Sequence, residues 1–129
     1  MTRKKIILII EQELNIANGL KAILKKEDYQ AVSTYSPYAI KDILEGKEPD
    51  LVIINIGIPK ELGLNILRKT KENFPYAPII AMSVYSSSFS SKELKRLGAD
   101  DFIAKPFDVK CLKEKIEELV EHKRNVDRR

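Results

Sequence analysis

Asp50-Leu-Val-Ile-Ile-Asn-Ile-Gly-Ile-Pro59 sets four consecutive aliphatic residues between an aspartate and an asparagine, with a glycine and a proline close behind. Successive side chains of a strand point to opposite faces, so a strand with one wet face alternates apolar and polar residues. An unbroken β-branched run has to be covered on both faces, which is the condition of a parallel sheet. Leu51 to Ile54 therefore predicts a central strand. Ile6 to Ile10 upstream and Pro78 to Val84 downstream have the same character. Tyr29 to Tyr35 alternates less cleanly and Asp101 to Ala104 is short, so both are expected at sheet edges.

Between these runs the apolar residues recur with helical period. Ile16, Leu20, Ile23 and Leu24 form one stripe, Ile40, Ile43 and Leu44 a second, and Ile66, Leu67, Thr70 and Phe74 a third. Val109, Leu112, Ile116, Leu119 and Val120 form the last, with Asp108 placed to cap it. Ser36-Pro37 offers an N-cap and a first-turn proline, Ser90 and Glu93 have capping-box spacing, and Gly46 and Gly98 stand where helices should stop. Strand and helix thus alternate from end to end, which predicts an α/β protein with right-handed crossovers and helices on both faces of the sheet. Edge-like runs in second and last place select a flavodoxin-like doubly wound (βα)5 three-layer sandwich with parallel sheet order 2-1-3-4-5.

Sites in such sheets lie beyond the carboxyl ends of the strands. The residues falling there are Glu11-Gln-Glu13, Asn55-Ile-Gly57, Ser83 to Ser86, and the end of Gly98-Ala-Asp-Asp-Phe-Ile-Ala-Lys-Pro-Phe107. In this order and at these distances, the set resembles the phosphoacceptor (receiver) domain of bacterial response regulators over about residues 4 to 121. The resemblance implies a pair of acidic residues after the first strand and an aspartate ending the third, which together bind Mg²⁺. It further implies that this aspartate takes a phosphoryl group from a histidine kinase. A hard cation wants several carboxylate oxygens, and only a carboxylate forms an acyl phosphate.

Here the acid pair is Glu11 and Gln12, and the acceptor position holds Asn55. An amide is essentially without nucleophilicity at neutral pH, so phosphorylation at Asn55 is not expected. No cofactor is expected either: with Gln12 and Asn55 as amides and Gly57 offering at most a carbonyl, Mg²⁺ binding should be weak or absent. Leu62 stands where the family often has aspartate, before Gly63. Three positions match the family's switch residues, namely Ser83, Phe102 (without the common phenolic hydroxyl) and Lys105. Lys105-Pro106 resembles the family's lysine-proline step, which makes it a cis-peptide candidate. With Asn55 neutral, Lys105 loses its main counter-charge, and a contact with Glu11 is the expected replacement.

The function so implied is non-enzymatic. It is that of an atypical pseudo-receiver, a phosphorylation-independent protein-interaction module in signal transduction. Its contact face would be the fourth predicted helix, the fifth strand and the fifth helix, about Ser90 to Val120, meeting a second copy, an effector domain or a histidine kinase. Two alternatives stand beside it. One is Mg²⁺-dependent phosphotransfer at a non-standard residue such as Ser83 or Glu11; the other is the regulatory domain of a longer DNA-binding transcription regulator.

The chain as a whole agrees with these expectations. Its 129 residues fit one domain, placed at 1–121, with a basic tail at 122–129. The formal charge of +4 owes much to Lys123, Arg124, Arg128 and Arg129, so nucleic acid is not the expected partner. No apolar run approaches the ~20 residues that span a bilayer, and the single cysteine, Cys111, offers no internal disulfide. A cytoplasmic location and no membrane contact are expected. His122 reads as a solvated residue near a helix end, Cys111 as a half-buried structural thiol, and Ser86 to Ser91 as a loop and helix cap.

Overall fold

In the computed structural model, residues 4–35, 44–56, 60–83, 91–105 and 107–127 are described. Five parallel strands and four helices follow in chain order among them: β1 (Ile6–Ile10), α1 (Leu14–Lys26), β2 (Gln30–Thr34), β3 (Leu51–Asn55), α2 (Lys60–Asn73), β4 (Ile79–Ser83), α3 (Ser91–Arg96), β5 (Asp101–Ala104) and α4 (Val109–Asp127). The strands form one sheet in the order β2-β1-β3-β4-β5, the flavodoxin-like doubly wound order. The second predicted stripe and its Ser36-Pro37 start fall largely outside the described residues, as do Gly57, Ser86 to Ser90 and Pro106.

Why the central runs are strands is visible in their burial. Every residue of β1 and β4 is buried, as are the first four of β3, whereas β2 is covered only in part. Alternate positions along each strand feed two separate cores. Leu8, Val52, Ile54 and Ala81 pack with Leu67, Leu94 and Phe74 from the α2 and α3 side. Ile7, Ile9, Ile53 and Met82 pack with Leu20, Leu24, Leu112 and Ile116 from α1 and α4. The sheet is therefore the middle of three layers. Each fully buried aliphatic side chain contributes about 1.5–3 kcal/mol of burial free energy.

Chain turns carry their own chemistry. After α1, Asp28 takes a left-handed conformation with φ of 67°, and Tyr29 N–H reaches back to the Leu24 carbonyl at 3.1 Å, so the helix ends without a glycine. Gly98 ends α3 with φ of +113°, as its position predicts. Asp108 caps α4, accepting from the Lys110 N–H at 2.9 Å.

At the amino ends of the strands, two aspartates make the same closed ring. Asp50 donates its N–H to the Ile6 carbonyl and accepts the Ile6 N–H on its carboxylate, both at 2.7 Å. Asp100 does the same with Ile79, at 2.8 Å in each direction. Each ring fixes the entry of one strand against its neighbour, β1 against β3 and β4 against β5. With the entries fixed, the opposite ends of β1, β3 and β4 finish level with one another. The register places Ile10 beside Ile54, Asn55 beside Met82, and Ser83 beside Ala104.

Candidate functional site

Three side chains meet at the carboxyl ends of β1, β3 and β5. Glu11 follows β1 directly and is buried, with a side chain showing 0% exposure. A buried carboxylate is costly unless its oxygens are satisfied. Its Oε1 accepts the Glu13 N–H and the Asn55 Nδ2, each at 3.0 Å. The ammonium of Lys105 lies 3.4 Å from Oε2, and that lysine side chain is only 11% exposed. The carboxylate is thus surrounded by a backbone amide, a side-chain amide and a cation. No buried side-chain nitrogen or oxygen among the described residues lacks a partner.

The orientation of Asn55 follows from this surrounding. An ionised carboxylate only accepts hydrogen bonds, so the amide must present its NH₂ to Glu11 and turn its oxygen elsewhere. Sequence reasoning anticipated the Glu11 to Lys105 contact, and it is present. The Asn55 side chain is also bonded to Glu11, through its Nδ2. The Glu13 N–H was missed altogether, although an acid two residues before the N-cap of a helix is the signal that could have found it.

The other named positions divide. Gln12 is exposed and does not enter this network. Ser83 is buried at the end of β4, has a partner of its own, and its carbonyl accepts the Lys105 N–H at 2.8 Å. That backbone bond is what sets Lys105 beside the pocket. Phe102 is half-buried against the core shared with α2 and α3, the placement expected of a core phenylalanine. Cys111 is half-buried on the first turn of α4. Gly57 and Pro106 lie outside the described residues, and the side chains of Leu62 and His122 are likewise not described.

Directly after β3, Ile56 is fully buried, and Gly63 of α2 packs on it so closely that a Cβ there would stand 2.5 Å from Ile56 Cγ2. Helix α2 therefore lies tight against the strand end that carries Asn55. On the far side of the sheet edge, Lys115 of α4 makes two contacts of 3.0 Å with the carboxylate of Asp101.

A five-stranded parallel sheet with this order, and an acid, an amide, a buried serine and a lysine gathered at its carboxyl end, define a receiver-type domain. The family model of the response regulator receiver domain matches residues 7–117, and the chain belongs to that family. Solved structures agree. TrrA of Thermotoga maritima, a response regulator crystallised with Mg²⁺ and BeF, is 30% identical with a TM-score of 0.74, covering 89% of this chain and 98% of that one. A receiver domain protein from Clostridium thermocellum superposes with a TM-score of 0.82 at 22% identity, covering 95% and 98%. NtrX from Brucella abortus gives 0.84 at 24% identity over 97% of this chain, which spans only 28% of the NtrX chain. Among the described residues no helix is long and apolar enough to cross a membrane.

Proposed function

We propose that this receiver domain of a response regulator acts as a protein-interaction module in two-component signalling whose conformation is independent of aspartyl phosphate. The observation that carries the reading is the bond from Asn55 Nδ2 to Glu11 Oε1 at 3.0 Å, beside Lys105 at 3.4 Å. Phosphoryl transfer to position 55 needs a carboxylate oxygen as nucleophile, and an amide supplies none. The donor set also fits Mg²⁺ poorly. It offers one carboxylate, already satisfied by three donors, while Gln12 faces solvent and Asn55 presents nitrogen. The ammonium and the amide occupy the electrostatic place a divalent cation would take.

No bond-making step is assigned to the domain. Its output is then a surface, and the one proposed is formed by α3, β5 and α4, about Ser90 to Val120, for a second copy, a kinase or an effector domain. The coverage of NtrX supports a companion reading, in which such a domain regulates a longer protein. Incubation with acetyl phosphate and Mg²⁺, followed by intact mass measurement, tests the proposal. An unchanged mass is expected; a phosphate adduct mapped to Asn55, Glu11 or Ser83 contradicts it.

A further inference from the structure

The outer edge of β2 brings free backbone and uncompensated charge together, at the side of the molecule remote from β5. Gln30 donates its N–H to the Lys5 carbonyl at 2.9 Å, and the Thr34 carbonyl accepts the Glu11 N–H at 3.0 Å. The even-numbered residues of β2 are therefore turned to β1, and strand alternation turns the N–H and C=O groups of Ala31 and Ser33 outward. Outside the pairing with β1, neither has a backbone partner among the described residues. A parallel sheet normally hides such an edge or protects it with charge.

Alongside this edge, between β2 and α1, lies a cleft of about 510 Å³. Ala22 and Ala31 leave it room with their short side chains, Tyr29 lines it with a half-buried ring, and Lys4, Lys21 and Lys25 bring ammonium groups to it. Among the described residues no carboxylate lines it. Lys4 pairs with the exposed Asp28 at 3.4 Å, whereas Lys21 and Lys25 have no ion pair among the described residues.

We propose that this edge takes up an extended, acidic segment of a partner protein as an additional strand. The outward N–H and C=O groups of Ala31 and Ser33 supply the main-chain hydrogen bonds of strand addition, and the alternate side chains of the segment enter the cleft. Carboxylates on that segment meet Lys21 and Lys25. The same lysines exclude the obvious competitor: a second copy pairing through its own β2 would set lysines against lysines. The surface is separate from the α3, β5 and α4 face, so one domain can hold two partners at once.

The test is fluorescence anisotropy with a labelled peptide of alternating glutamate and valine, against the same peptide with lysine for glutamate, on the whole 129-residue chain. The acidic peptide binds and the basic one does not. Lys21→Glu with Lys25→Glu weakens the acidic peptide at least about tenfold, because attraction becomes repulsion. Ala31→Pro removes one outward donor without touching the bonds to β1, and also weakens binding. Amide exchange at Ala31 and Ser33 slows when the acidic peptide is added. Equal affinity for both peptides overturns the proposal, and so does acidic binding that leaves the exchange of Ala31 and Ser33 unchanged. Concentration-dependent protection of Ala31 without peptide also overturns it, since a second copy is then the occupant. The lysine variants sit on the surface and carry the test should the proline variant fold poorly.

Discussion

At position 55 a carboxylate and an amide differ in charge and in the direction of their hydrogen bonds. An aspartate there would place a second negative oxygen about where Asn55 Nδ2 now stands, 3.0 Å from Glu11 Oε1, and would remove a donor from a buried carboxylate. Asn55→Asp should therefore lower stability by about 1–3 kcal/mol in metal-free buffer, with part of the loss recovered in millimolar Mg²⁺. Thermal melting with and without Mg²⁺ checks this, and the unmodified chain should show almost no Mg²⁺ response. A saturable rise in its melting temperature goes against the account. Gly63 makes a second prediction of this size. Gly63→Ala drives a methyl group into Ile56 and should cost about 1–3 kcal/mol in a urea unfolding curve. The positions of Glu11, Asn55, Ser83 and Lys105 were legible because each follows or ends an apolar run that counts as a strand. Which end of the Asn55 amide faces which neighbour was not, because that depends on contacts between residues distant in sequence.

Strands were legible as elements wherever burial on both faces forced an unbroken aliphatic run, so β1 begins and ends where its sequence does. Strand β3 extends one residue further, to Asn55, because the polar residue still pairs with Met82. Phe74 belongs to the third stripe yet lies just past the last turn of α2, and it still packs into the core. A stripe reports which residues face the core and says less about where helical hydrogen bonding stops. The aspartate rings at the amino ends of the sheet were not legible, since an aspartate before a strand gives no sign of the strand it will clasp. They also carry weight. Asp50→Ala leaves the Ile6 N–H without its carboxylate acceptor in a buried setting and should cost about 1–3 kcal/mol. Chemical denaturation measures the loss, and a change under about 0.5 kcal/mol would show that the ring is incidental.

Across the whole molecule, class and sheet order could be read from the alternation of runs and stripes, because a doubly wound sheet has few alternatives once its edges are named. The cleft beside β2 could not, since Lys4, Lys21 and Lys25 are ordinary solvated charges until the fold brings them to one edge. The central claim also belongs to this scale: a receiver whose strand ends are joined by its own acid, amide and lysine. Glu11 and Lys105 come from opposite ends of the chain and tie β1 to β5 across the sheet. Because neither side chain is more than 11% exposed, removing one leaves the other uncompensated, which a solvated pair would not feel. The most direct test is a double-mutant cycle on Glu11→Gln and Lys105→Met, read by equilibrium unfolding. The account predicts a favourable coupling of about 1 kcal/mol or more between the two residues. Coupling indistinguishable from zero would contradict it, leaving the two charges as neighbours that do not hold the pocket together.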